Sequence, residues 1–153
     1  MKERIFQKTL IILLALGATT MVSCKDEPEE DNISKYDIVY YKWHLTKFVD
    51  IPNKIEKFPQ MNSDNVYWIK FDSQNDNFSG RTYSNSIKGL YQMDVENKTL
   101  VFTNLTTGNT LDLYDGDKFF STLSLIQNFH LSGDTLRLLY NNKMNYMQFE
   151  KIE

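Results

Sequence analysis

The chain has 153 residues, with 17 basic and 20 acidic side chains, 14% aromatic residues and one cysteine. That length suits one domain of ordinary size, and a single cysteine excludes an intramolecular disulfide. Residues 36–153 carry 12 basic against 14 acidic side chains, a near-neutral balance with no basic stripe. Nucleic-acid binding is therefore disfavoured, because its affinity comes largely from neutralised phosphates.

At the N-terminus Lys2, Arg4 and Lys8 precede the apolar run Leu10–Leu16. At about 1.5 Å per residue, such a run covers roughly half of a ~30 Å hydrocarbon core, so it predicts a cleaved signal rather than a permanent span. The run leads to Met21-Val22-Ser23-Cys24, which resembles a bacterial lipobox. That resemblance implies a signal peptide over 1–23, cleavage before Cys24 and a diacylglycerol thioether on its sulfur, with palmitate-type acylation of the new N-terminus. Two or more acyl chains anchor a protein stably.

Residues 24–35 follow as the lipidated cysteine and an acidic tether. Lys25 to Asn32 contains five acids, one proline and no large apolar residue, so it cannot bury enough surface to offset the entropy of ordering it. Lys25-Asp26-Glu27 resembles a basic-then-acidic export signal that sends lipoproteins to the outer face of the outer membrane. The expected location is the outer membrane, lipid-anchored and surface-exposed, with a periplasm-facing position as the alternative.

From residue 36 to 153 the pattern is strand chemistry, with short alternating aromatic runs between Asn, Asp, Ser and Gly clusters. Residues 43–49 predict a first strand with Trp43, Leu45 and Val49 facing in. Residues 66–72 predict a second, apolar on the face of Tyr67, Ile69 and Phe71. Residues 89–95 and 98–103 predict a hairpin across Glu96-Asn97, offering Tyr91, Met93, Val95, Leu100 and Phe102 to a core. The period then breaks. Asp115 or Asp117 reads as an N-cap, and Phe119, Phe120, Leu123 and Ile126 fall on one face of an amphipathic helix that would cover the mouth of a curved sheet. Residues 129–132, 136–140 and 144–152 complete a meander through turns at Ser132-Gly133-Asp134 and Asn141-Asn142-Lys143. The fold class is α+β, mainly β: a curved antiparallel sheet or half-open small barrel with one packed helix.

Gly80-Arg81-Thr82-Tyr83-Ser84-Asn85-Ser86-Ile87-Lys88-Gly89-Leu90-Tyr91 resembles the Gly-x-x-Gly-Cys-Asn-x-x-x-Gly-x-Tyr signature of META (HslJ-like) domains, with Gly80, Asn85, Gly89 and Tyr91 in register. Trp43-x-Leu45, the helix segment and the last hairpin follow in the family's order. Tyr83 replaces the usual Gly and Ser84 the usual Cys, which removes any redox role of that cysteine. A lipocalin-like lipoprotein domain shares the Trp-x-Leu strand and is the second resemblance. The first implies a small envelope-associated unit without established catalysis. The residues themselves read as structural: Gly80 and Gly89 where backbone must bend or take positive φ, Asn85 tying a turn, and Tyr91 as a core ring.

No catalytic set, metal site or cofactor motif is expected. His44 and His130 read as solvent-facing strand residues, Ser84 lacks a nucleophile elbow, and Asp112, Asp115 and Asp117 read as helix capping rather than a calcium loop. Asp134-Thr135-Leu136 resembles an O-glycosylation acceptor centred on Thr135, although a plain hairpin entry explains it. Two functions remain. One is a non-enzymatic envelope lipoprotein that binds another protein. The other is a lipocalin-like carrier of a small apolar ligand, with Trp68, Tyr83 and Tyr91 lining a pocket.

Overall fold

The computed structural model describes residues 33–61 and 63–152. Nine strands follow one another as β1 (Lys42–Asp50), β2 (Ile55–Lys57), β3 (Trp68–Phe71), β4 (Asn77–Arg81), β5 (Ser86–Asp94), β6 (Thr99–Thr107), β7 (Asn128–Ser132), β8 (Thr135–Tyr140) and β9 (Asn145–Lys151), with helices α1 (Tyr36–Val39) and α2 (Gly116–Leu123). Every described pairing is antiparallel. From β3 to β9 neighbouring strands pair in sequence order, β1 pairs with both β2 and β3, and β1 also meets β9 to curl the sheet into a ring. This is the mainly β, α+β architecture that the alternation dictates. The ring is irregular at β6 and β7, which share only the Thr99–Asn128 register pair.

Because the strands run antiparallel, their connections gather at two unlike ends of the ring. Beside the start of β1 lie α1 and the turns 72–76, 95–98 and 133–134. Beside its end, at Asp50, lie the turns 51–54, 82–85 and 141–144, the loop 108–115, and α2. The turn chemistry is local. Asp50 accepts from the Asn53 backbone N–H and side-chain amide, at 3.2 and 2.9 Å, and Asp94 does the same with Asn97, at 3.0 and 2.7 Å. Gly133 takes φ +54° at the first position of a two-residue turn, the position where such hairpins need glycine. Asn141, Asn142 and Lys143 all lie at positive φ, a conformation that asparagine tolerates better than most residues.

Rings fill the interior. Trp43, Tyr67, Phe71, Tyr91, Phe119, Phe129 and Phe149 are buried, and several meet edge-on, as Phe71 and Tyr91 do at 4.9 Å between centroids and Tyr67 and Phe119 at 5.9 Å. Edge-to-face geometry suits the ring quadrupole. α2 contributes Phe119 and Leu123, both buried, with Ile126 following, so its apolar stripe closes one mouth of the ring. α1, which the sequence pattern did not predict, sits at the other mouth, where Ile38 is buried and its carbonyl accepts from Trp43 Nε1 at 2.8 Å.

Some expected details change. A register shift between Leu45 and Lys47 inserts an extra residue into β1, so Phe48 rather than Val49 joins the central cluster, although Val49 is also buried. Bulges switch side-chain facing in this way. The second strand starts at Trp68, not Val66, because Tyr67 lies at φ +52°. Its carbonyl accepts from Leu45 N–H at 2.8 Å, which holds an aromatic residue in a conformation costing about 1–2 kcal/mol. β2 and β4 arise where no strand was expected, and Val95 falls in a turn rather than the core.

Candidate functional site

The segment from Gly80 to Tyr91 is an architectural joint. Gly80 lies where an added Cβ would come within 2.7 Å of the Trp68 carbonyl oxygen, and Gly89 where it would come within 2.9 Å of that of Thr103. Close approach is therefore what these positions require. Positive φ is not, since among the described glycines only Gly133 has it. Gly89 also sits at the register shift between β5 and β6, where Asn104 at φ +51° opposes it. Tyr91 is buried, and its hydroxyl donates to the Asp72 carbonyl at 2.9 Å. Burial pushes that phenol above its ordinary pKa, with the charges of Asp76 and Asp72 adding to the effect.

Asn85 works beyond its own turn. Its N–H donates to Thr82 Oγ1 at 2.9 Å, while its side-chain amide donates to the Thr110 carbonyl at 2.7 Å and to Asp112 Oδ2 at 3.2 Å. Asp112 Oδ1 accepts the Ser84 N–H at 2.9 Å. The turn 82–85 and the loop 108–115 are thereby clasped together, and Asp112 serves that clasp rather than capping α2. Asp115 departs from expectation as well. It stands at the N-cap position but makes no capping bond; its carboxylate instead accepts from Lys57 Nζ and from the Gln60 N–H, the latter at 2.9 Å. Burial alone would raise this carboxyl, but the hydrogen bond and charge of Lys57 and the Gln60 N–H hold it below its ordinary range. Lys118, beside it, is lowered by burial and by the Lys57 charge.

These clasps gather loops that carry exposed apolar side chains. Ile55, Phe58 and Met61 lie on and after β2, and Leu111, Leu113 and Tyr114 lie before α2. Phe58 is 66% exposed and Leu111 78%, fractions far from those of core residues of the same types. The Asp115 contacts with Lys57 and Gln60 join the two groups. Ile51 and Met144 are exposed on neighbouring turns at the same end, linked by the Ile51 N–H to Met144 carbonyl bond at 3.0 Å. Apolar side chains concentrated on one surface mark an interaction site more often than scattered ones do. The sequence signal for this rim was available: apolar residues over 51–61 and 111–114 that fit neither the strand nor the helix period.

The expected aromatic pocket does not form. Tyr91 is inside the ring, Trp68 lies half-buried under Lys42 Nζ at 4.9 Å from its centroid, and Tyr83 packs edge-on against Tyr114 at 4.6 Å. The three occupy separate surroundings because Trp68 stands on β3, Tyr83 in the turn between β4 and β5, and Tyr91 inside the ring on β5. A groove of about 820 Å³ lies elsewhere, along β3 to β6. A smaller one of about 490 Å³ opens between β6 and the end of α2.

His44 is buried, with its Nε2 unpaired, contrary to the solvent-facing reading; it lies between Trp68 on β3 and Glu150 on β9 in the register. His130 is exposed on β7. Thr135 opens β8 opposite Ser132. Among the described residues no group of three or more His, Cys, Asp or Glu side chains is placed to hold a metal, and no helix is long and apolar enough to cross a membrane. Cys24, Lys25, Asp26 and Glu27 lie outside the described residues.

No protein-family profile matches the chain, and no curated protein matches it. Solved structures do. A DUF4847 family protein from Bacteroides vulgatus ATCC 8482 superposes with a TM-score of 0.58 at 18% identity, over 76% of this chain and 96% of its own. A protein from Burkholderia xenovorans, solved by NMR, gives a TM-score of 0.58 at 13% identity, over 73% of this chain and 81% of its own. Both likenesses are of fold.

Proposed function

We propose that this chain is a non-enzymatic envelope lipoprotein, anchored through Cys24 on the outer membrane and displayed by Lys25-Asp26-Glu27, whose apolar rim binds another protein. The META-like reading of Gly80 to Tyr91 belongs to the same proposal. The observation that carries it is the collection of Ile55, Phe58, Met61, Leu111, Leu113 and Tyr114, exposed together on clasped loops at one end of the ring. Holding such side chains in water opposes the hydrophobic effect, at a cost of about 1.5–3 kcal/mol for each one left unburied. A partner surface would recover it. The carrier alternative calls for an apolar interior cavity, whereas the interior here is occupied by packed rings. Filled interior with exposed rim supports the interaction module.

The anchor is tested separately from the rim. Cys24→Ala should leave an uncleaved precursor held by its signal segment, and wild type should partition into detergent after trimming to Cys24. A soluble, correctly trimmed Cys24→Ala product would sink the lipoprotein half of the proposal. Alanine at Lys25, Asp26 and Glu27 should hide the domain from protease added to intact cells while lipidation continues; unchanged accessibility would remove the export role.

A further inference from the structure

The register assembles a row of cations that the linear sequence disperses. Lys42, Lys70, Ser79, Lys88 and Thr106 are successive partners across β1, β3, β4, β5 and β6, so they share one face of the sheet. Lys70, Ser79, Lys88 and Thr106 are exposed, while the alternating residues Ile69, Phe71 and Ile87 are buried, which puts the row on the outer wall. Like charges directly opposite destabilise a strand pair. Lys70 therefore gains nothing from facing Lys42, which itself lies over the Trp68 ring, and Lys70 and Lys88 form no ion pair among the described residues.

The row runs through the larger groove, whose volume of about 820 Å³ falls within the ~300–1,000 Å³ typical of ligand sites. Tyr40 stands at one side, 60% exposed, and Asn104 at the other, raised by its left-handed bulge. Between them Asn77 and Ser79 offer an amide and a hydroxyl. One acid, Asp72, also lines the groove, its oxygens accepting from Gln74 N–H and Asn75 Nδ2, both at 2.8 Å, so two lysines stand against one carboxylate there.

We propose that this outer groove binds an acidic oligosaccharide. Lys70 and Lys88 stand two strand spacings apart, about 10 Å, with neutral hydrogen-bonding groups between them. A single phosphate held by both lysines would leave the neutral groups between them unused, whereas an acidic oligosaccharide meets both lysines and those groups together. Each lysine takes a carboxylate or sulfate, the amides and hydroxyl of Asn77, Ser79 and Asn104 pair with sugar hydroxyls, and the Tyr40 ring lies against a sugar face. The groove is concave, with polar and apolar surface in about equal parts, which suits a chain of sugar rings entering it better than a membrane laid across it.

The test is calorimetric titration of the full chain in zwitterionic detergent with a galacturonate hexasaccharide, a sulfated hexasaccharide, neutral maltohexaose and inorganic phosphate, alongside its retention on discs containing anionic lipid. At least one acidic hexasaccharide should bind, more weakly at raised salt. Lys70→Glu with Lys88→Glu should weaken that binding by about tenfold or more, while the control pair Lys54→Glu with Lys143→Glu, at the rim end, should leave it unchanged. The groove variant should melt at or slightly above the wild-type temperature; if it fails to fold, Lys70→Gln with Lys88→Gln is titrated instead. Absence of binding by both acidic sugars, equal binding of maltohexaose, indifference to the groove substitutions, or retention on anionic lipid alone would each overturn the proposal.

Discussion

Tyr91 shows how much one side chain of this protein carries. It supplies a fully buried ring, an edge contact to Phe71 and a hydroxyl bond to the Asp72 carbonyl. Tyr91→Phe should therefore cost about 0.5–1.5 kcal/mol, the net worth of one hydrogen bond, and Tyr91→Ala about 3–5 kcal/mol through the cavity it opens. Thermal unfolding of the two variants checks both values, and equal losses would mean that the ring contributes nothing beyond its hydroxyl. Gly80→Ala should cost about 1–3 kcal/mol, because the new methyl meets a backbone oxygen rather than a side chain that could move aside. An unchanged melting temperature for Gly80→Ala would mean that the β3–β4 spacing relaxes freely.

Among the elements, those defined by period were legible and those defined by partners were not. Strands β5 to β9 follow alternation and turn residues, so their existence could be read from Tyr91, Leu100, Phe102, Leu136 and Leu138. The bulge at Thr46, the left-handed Tyr67 and the strands β2 and β4 depend on which chain segment lies alongside, and no local pattern encodes that. Helix α2 was legible through Phe119, Phe120, Leu123 and Ile126. Its relation to Asp115 was not, because a lysine and a backbone N–H some 55 to 58 residues away claim the carboxylate. The same contacts set a pH dependence. Asp50, Asp94 and Asp115 all titrate below their ordinary value in the folded chain. Their contribution to stability is present above the unfolded carboxylate pKa of about 4 and is lost as pH falls through the lower folded values. The melting temperature should be flat from neutral pH to about 5 and fall below about 4, and Asp115→Asn should shrink that acid limb while costing about 1–3 kcal/mol at neutral pH. Stability that rises on acidification would contradict the assignment.

The molecule as a whole is a ring with two unlike ends and a cationic wall. Its N-terminal entry lies at the α1 end, and the apolar rim lies at the α2 end. The signature segment joins the two scales, since Asn85 and Asp112 fix the loop that bears Leu111, Leu113 and Tyr114. The fold class was legible from aromatic alternation. The rim showed only as apolar residues outside either period; that its two segments share one end was not legible, because Asp115 joins them through contacts with Lys57 and Gln60, and the lysine row was not legible, because strand register alone aligns it. Binding through the rim is tested by photo-crosslinking in intact cells, with a benzophenone side chain placed in turn at Phe58, at Leu111 and, as a control on the wall, at Arg137 of β8. A discrete protein adduct is expected from both rim positions and none from Arg137, with loss of the adduct when Leu113→Asp is added without a change in melting temperature. Rim and wall positions that give the same products, or an adduct that survives Leu113→Asp, would contradict it.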